Sequence, residues 1–113
     1  MGARINFVFD DGSESLPVLY SHWGESTWQD DLAGALEHAQ NRKGDYQYFT
    51  RMVISHLIKD EILMETGYGI YAIKRTEISE LFDKVVVLDL VNSIIIDCDT
   101  QENISFYYEK VTA

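Results

Sequence analysis

The segment Val18-Leu19-Tyr20-Ser21-His22-Trp23-Gly24 carries an apolar strand into a turn that begins the first helix of the chain. It brings a histidine, a tryptophan and a glycine together at one strand end. The first N–H groups of a helix have no partner within the helix, so such a junction is a frequent position for a binding site. We therefore predict a binding site formed by Tyr20, His22, Trp23, Gly24 and Glu25.

Upstream of this segment the sequence predicts an antiparallel β-hairpin. Residues 4–9 alternate so that Ile5, Phe7 and Phe9 share one face, and residues 10–14 supply a turn that contains an Asp-Gly pair. The second strand spans residues 16–21. Pro17 has no N–H to donate, so it suits the start of an edge strand and marks where strand pairing begins.

Two amphipathic helices follow the segment. Ser26 with Gln29, or Thr27 with Asp30, resembles a capping box at the start of a helix over residues 27–40. Its apolar stripe contains Trp28, Leu32, Ala35, Leu36 and Ala39. After a stop at Gly44, Asp45 caps a second helix that reaches about residue 60, with an apolar face of Phe49, Val53, Ile54, Leu57 and Ile58. The short connection predicts antiparallel packing of the two helices.

The last part of the chain reads as strands. The apolar run 62–64 has no clear assignment, and it precedes Thr66-Gly67-Tyr68-Gly69 and a strand over residues 70–73. A short helical turn over 76–82 leads to strands at 85–90, 94–98 and 104–111, which predict a β-meander. The order β-β-α-α-β-β-β-β predicts a single α+β domain over residues 1–113. In it, two helices pack on one face of a largely antiparallel sheet.

Composition and charge narrow the classes of protein. The chain has 113 residues, a formal net charge of −10 and 46% hydrophobic residues, which is typical of an ordinary soluble domain. No apolar run approaches the roughly 18 residues of a membrane span, and the N-terminus lacks a signal-peptide core, so we expect a cytoplasmic protein without membrane association. Asn6 stands where an N-myristoylation motif needs Ser or Thr. The negative charge disfavours direct binding of nucleic acid and favours a basic protein partner.

The residues that carry chemistry form no complete set. Cys98 is the only cysteine and lies in an apolar run, so we interpret it as a small buried hydrophobe. Three histidines are spread over a strand end and two helices, without zinc-ligand spacing. Asp10, Asp11, Asp89, Asp97 and Asp99 follow strands but lack the spacing of a calcium or magnesium loop. We predict no catalytic residues, no metal and no cofactor.

The N-terminal motifs resemble those of a known group of sequences. Met1-Gly2-Ala3-Arg4, the strand and turn after it, and Tyr20-Ser21-His22-Trp23-Gly24 are similar to a family of small uncharacterised proteins of prokaryotes and their phages. That family begins Met-Gly-x-Arg and carries a Tyr-x-His-Trp/Asp-Gly signature before a helix. Thr66-Gly67-Tyr68-Gly69 echoes the signature. The resemblance implies a stand-alone prokaryotic or phage protein and brings no activity with it.

Three functions stay open. The leading hypothesis is a protein-binding module with an acidic, Tyr- and Trp-containing surface, specifically a phage or mobile-element accessory factor that modulates a host protein. The first alternative is a small hydrolase or nucleotide-binding enzyme that uses His22 with Glu25, Asp30 or Asp10. The second is a nucleic-acid mimic, which inhibits its target through carboxylates such as Asp30, Asp31, Glu37 and Asp45.

Overall fold

Six strands and two helices make up the part of the chain that the computed structural model describes, which is residues 4–22, 27–81 and 83–105. The elements are β1 (Ile5–Asp10), β2 (Ser15–Ser21), α1 (Trp28–Ala39), α2 (Tyr46–Ile58), β3 (Tyr68–Lys74), β4 (Lys84–Asp89), β5 (Ile94–Asp97) and β6 (Glu102–Ser105). Short 3₁₀ turns occur at Gln40–Arg42 and Arg75–Glu80. The predicted α+β fold and its element order are confirmed.

The strands form one sheet in the order β3-β2-β1-β4-β5-β6. The hairpin β1–β2 and the meander β4–β5–β6 are antiparallel, as the sequence predicts. The chain returns from α2 to the far side of β2 as β3, and then crosses to the free side of β1 as β4. As a result β1 and β4 are parallel, from Ile5 opposite Lys84 to Asp10 opposite Asp89.

Both faces of the sheet are covered at its centre. On one face the predicted stripe of α1 is fully buried, and with Phe49 and Val53 of α2 it packs on Ile5, Phe7 and Phe9. On the other face Val8, Val18 and Val85 form a smaller cluster with Ile78 and Leu81 from the segment after β3. Consequently β1 is buried from Ile5 through Phe9.

The structure corrects the prediction that Pro17 begins an edge strand. β2 lies inside the sheet, between β1 and β3. Successive residues of an internal strand direct their backbone N–H and C=O groups to one neighbouring strand and then to the other. By this alternation the backbone nitrogen of Pro17 points toward β1. The pairing of β1 with β2 stops at Val8 opposite Val18, one residue before that nitrogen would be needed. An internal strand therefore accommodates proline where one of its two ladders ends.

Other boundaries shift by a few residues. α2 ends at Ile58 and not near residue 60, and β3 begins two residues before the predicted strand. β6 begins at Glu102, and the predicted continuation to residue 111 lies outside the described residues beyond Ser105. Asp45 caps α2 as predicted, since its Oδ1 accepts the N–H of Tyr48 at 3.4 Å.

The start of α1 differs in detail from the prediction. The Thr27 side chain makes no capping bond and donates instead to Asp31 Oδ2 at 3.0 Å, while Ser26 lies outside the described residues. Gly34 of α1 faces the imidazole of His56, because a Cβ at Gly34 would lie 3.1 Å from Nε2. Glycine therefore makes room for a histidine side chain between the two helices.

Candidate functional site: the outer strand of the sheet

Two residues of the sequence-predicted site are described, Tyr20 and His22, whereas Trp23, Gly24 and Glu25 lie outside the described residues. The hydroxyl of Tyr20 lies 3.2 Å from Nδ1 of His22, and their rings meet edge to face. Tyr20 is half-buried and His22 is exposed. The N–H of His22 donates to the carbonyl of Gly67 at 2.8 Å, so this pair lies beside the turn that leads into β3.

The structure separates residues that the enzyme hypothesis combines. Ser21 pairs with Ile5, so His22 lies at the start of β1, whereas Asp10 lies at its end. Five residues of extended strand span roughly 16 Å. Asp10 is also bound by Arg75, whose two nitrogens donate to its oxygens at 2.6 and 2.7 Å. That hydrogen bond lowers the pKa of Asp10. Asp10 therefore holds β3 to the hairpin and shares no site with His22.

The strand-end carboxylates lie in two groups at opposite ends of the sheet. Asp10 and Asp89 are neighbours at the ends of β1 and β4, and Asp89 accepts N–H groups of its own turn, from Val91 and Asn92. Asp97 binds Lys84 at 2.9 Å at the other end. Within residues 4–22, 27–81 and 83–105, no three His, Cys, Asp or Glu side chains form a group that could hold a metal ion.

The carboxylates of the mimic hypothesis are exposed. Asp30, Asp31 and Glu37 lie on the solvent side of α1. Asp45 is exposed as well, and it caps α2. Asp31 accepts the hydroxyl of Thr27. Two of these four carboxylates therefore take part in local hydrogen bonds at helix starts.

Cys98 and His56, which carry a nucleophilic and a basic group, are both half-buried. Cys98 is half-buried against the cluster opposite the helices, and burial raises the pKa of its thiol, as do the nearby Asp97 and Asp99. A raised pKa leaves little reactive thiolate. His56 is half-buried beside His38, with ring centroids 5.6 Å apart, and burial with the charge of Lys59 lowers its pKa. Both side chains are part of the packing.

Exposed apolar side chains are concentrated in one stretch of the chain, which comprises β3 and the loop before it. The described residues contain seven exposed large apolar side chains, and five of them fall within residues 62–71. We call these five the apolar edge: Ile62, Leu63, Met64, Ile70 and Tyr71, with exposed fractions of 63%, 92%, 63%, 65% and 38%. The sequence could not reveal this site, because an apolar run such as 62–64 usually indicates burial.

On its outer side, the backbone of β3 pairs with no other strand of the described residues. Two hydrogen bonds flank the ladder between β2 and β3: the N–H of Arg75 donates to the carbonyl of Glu14, and the N–H of His22 donates to the carbonyl of Gly67. Because Gly67 and Arg75 are both odd-numbered, the odd-numbered residues of β3 are those that bond to β2. In an antiparallel pair the alternate residues direct their N–H and C=O away. Ile70 and Ala72 therefore face outward, where no strand of the described residues lies beyond β3.

A groove of about 330 Å³ borders this strand on the helix side of the sheet. Its sheet wall includes Pro17 and Ile70, and its helix wall includes Tyr46, Thr50, Arg51 and Ile54. Tyr46, Thr50 and Ile54 follow one another at four-residue spacing and therefore form one stripe along α2. The groove is thus a cleft between α2 and the outer strands.

Contacts across the hairpin fix β3 in place. The hydroxyl of Tyr71 donates to Oδ1 of the buried Asn6 at 2.7 Å, reaching across β2 to β1. Burial raises the pKa of Tyr71, and the charge of Asp83 raises it further. Arg75 binds Asp10 and also donates to the carbonyl of Ser13 at 2.8 Å. These bonds anchor both the middle and the end of β3.

Comparisons of this chain with protein-family models, with curated proteins and with solved structures found no match. None of the helices in the described ranges has the length and apolar character to cross a membrane.

Proposed function

We propose that this protein is a protein-binding module and that its partner docks on the apolar edge. The supporting observation is the concentration of exposed apolar side chains in residues 62–71. Scattered apolar residues are normal on a protein surface, but a cluster of them is typical of an interaction site. Tyr71 adds an amphipathic ring of the kind that interfaces favour.

The charge of the chain supports a basic partner. The formal net charge is −10, and the apolar run 62–64 is flanked by Asp60, Glu61 and Glu65. Opposite charge accelerates encounter and discriminates against acidic competitors. We therefore propose a partner whose docking segment carries Lys or Arg beside its apolar residues.

Tyr20 and His22 extend the proposed surface on the other face of the sheet. Tyr20 pairs with Gly69, and a Cβ at Gly69 would lie 3.9 Å from its ring. The predicted binding residues Trp23, Gly24 and Glu25 follow directly in the chain. We include this stretch in the proposed binding surface. We also propose that a phage or mobile element uses the module to modulate a host protein.

Rigidity of β3 supports binding as well. The Tyr71–Asn6 and Arg75–Asp10 bonds hold the strand before any partner arrives. Binding to a surface that is already ordered avoids part of the entropy cost of association.

The test compares partner capture by three forms of the protein. Wild type, Ile70→Asp and Val91→Asp are immobilised and exposed to lysate of the native host, and captured proteins are identified by mass spectrometry. Val91 is a matched control, because it is exposed to 55%, does not line the groove and follows β4, which is three strands from β3 in the sheet. A specific partner is then purified, and its affinity for each form is measured by calorimetry.

We expect wild type and Val91→Asp to bind the purified partner equally, and Ile70→Asp to bind about a hundredfold more weakly, as expected for a central hot-spot residue. Equal affinity of all three forms, or no protein that binds wild type when purified, would refute the proposal.

A further inference from the structure

We propose that the partner binds as an added strand: an extended, basic segment pairs with the outer side of β3 and places its alternate apolar side chains in the groove beside α2. This inference rests on the proposed function and specifies its mode of recognition. It is a case of strand addition to an open sheet edge.

The backbone groups in the middle of β3 point in the direction that strand pairing requires. Ile70 and Ala72 point their N–H and C=O away from β2, which follows from the bonds at both ends of the β2–β3 ladder. Backbone groups in this arrangement are a template for another strand. β3 has seven residues and contains no proline. Its one charged side chain, Lys74, is at the end. Two of the usual devices that protect an edge strand, proline and charged side chains, therefore do not occur in its middle.

The groove lies where a strand added to β3 would place its side chains. Side chains of Ile70 and Ala72 lie on the helix side of the sheet, because Ile70 pairs with the core residue Leu19. A strand beside β3 would direct every second side chain to this same side. There the stripe Tyr46, Thr50 and Ile54 of α2 borders the groove. Backbone pairing would supply affinity, and this groove would select apolar side chains at alternate positions.

The charge of the chain favours a basic segment of another protein as the occupant. A second copy of the chain would bring its own net charge of −10 to the interface, so self-pairing is opposed by repulsion. An extended segment with Lys or Arg between its apolar residues has the complementary charge. We therefore assign the edge to a basic segment of another protein.

The experiment uses short peptides as probes. A displayed library of random peptides is selected on wild-type protein and counter-selected on Ile70→Asp. We expect apolar residues at alternate positions with Lys or Arg between them. Apolar residues at helical three- and four-residue spacing would overturn strand addition and leave the proposed function standing. A library that yields no binder to wild type would count against both.

A second measurement tests the backbone bonds directly. One selected peptide is synthesised in two forms. One form is N-methylated at its odd-numbered residues and the other at its even-numbered residues, so that only one of them loses the N–H groups that face β3. We expect about a hundredfold loss of affinity for that form and little change for the other. Equal affinity of the two forms would overturn strand addition. Sedimentation of wild type alone provides the remaining check, because a dimer that Ile70→Asp abolishes would assign the edge to a second copy and overturn the proposal.

Discussion

β1 and β3 are strands of similar length and apolar content, yet they differ in burial. Ile5 through Phe9 of β1 are at most 4% exposed, whereas no residue of β3 is fully buried. The row Phe7–Leu19–Ile70 crosses the sheet on the helix side, from the core residue Phe7 to Ile70, which is 65% exposed. Position in the sheet decides whether an apolar side chain is buried in the core or exposed to solvent.

The largest expected effect is at the inner end of that row, in the core. Phe7→Ala removes a buried aromatic ring that packs in the main core, so we expect a loss of about 4 kcal/mol in the free energy of unfolding. Urea denaturation followed by circular dichroism measures it. A loss below about 1 kcal/mol would mean that the centre and the outer strand do not differ as described.

A buried ion pair beside the centre gives the next effect, and this effect depends on pH. Lys84 of β4 binds Asp97 at 2.9 Å, with side chains 11% and 6% exposed. Burial alone would raise the pKa of Asp97, but bonds from Lys84 and the Asp99 N–H bring it below 3.8. Lys84→Met leaves a buried carboxylate unpaired, so we expect a loss of about 3 kcal/mol at pH 7.

The sign of the pH dependence follows from the lowered pKa. The Asp97 carboxylate takes up a proton less readily in the folded protein than in the unfolded chain. The stabilisation by the Lys84–Asp97 pair is therefore complete above about pH 4 and is lost as the pH falls further. The free energies of unfolding of wild type and Lys84→Met, measured by denaturation, should therefore converge in acid. The control Lys74→Met, at the exposed end of β3, should stay within about 0.5 kcal/mol of wild type at every pH. A difference for Lys84→Met that is constant down to pH 2 would contradict the account.

The anchor of β3 gives a smaller effect. Tyr71→Phe removes the hydroxyl that donates to the buried Asn6, so we expect a loss of about 1–2 kcal/mol. Tyr48→Phe is the control, because Tyr48 is 55% exposed, and it should leave the stability unchanged. Thermal melts distinguish the two variants. Equal stability of both would show that the bond to Asn6 does not anchor the strand.

The smallest expected effect on stability is at the outer end of the row. Ile70→Ala should change the free energy of unfolding by less than about 1 kcal/mol, because most of its side chain is already in water. The same variant should bind the partner about tenfold or more weakly than wild type does. A loss of stability as large as that of Phe7→Ala, with binding intact, would reverse the assignment of the two strands.

Local signals in the sequence predicted most of the elements. The Asp-Gly turn, the cap Asp45 and the stripe from Trp28 to Ala39 act over a few residues, and each element they predict is present. The order of the strands depends on contacts far apart in sequence. The parallel pairing of β1 with β4 and the outer position of β3 were therefore not predictable from residue patterns.

The candidate site was harder to predict for the same reason. Pro17 suggested an edge at β2, but the real edge is β3, which the pattern of residues 70–73 did not distinguish from an internal strand. The run 62–64 is apolar and exposed, which contradicts the usual meaning of such a run. The predicted residues Tyr20 and His22 lie next to the start of β3, so the sequence pointed near the proposed surface but not to its main part.

Amide hydrogen exchange along β3 tests the central claim most directly. In the free monomer we expect the N–H groups of Ile70 and Ala72 to exchange rapidly, and those of Tyr71 and Ile73 slowly, because only the second pair bonds to β2. When partner or selected peptide saturates the protein, exchange at Ile70 and Ala72 should become slow as well. Slow exchange at Ile70 and Ala72 in the free monomer, or no slowing at these residues in the saturated complex, would contradict the account.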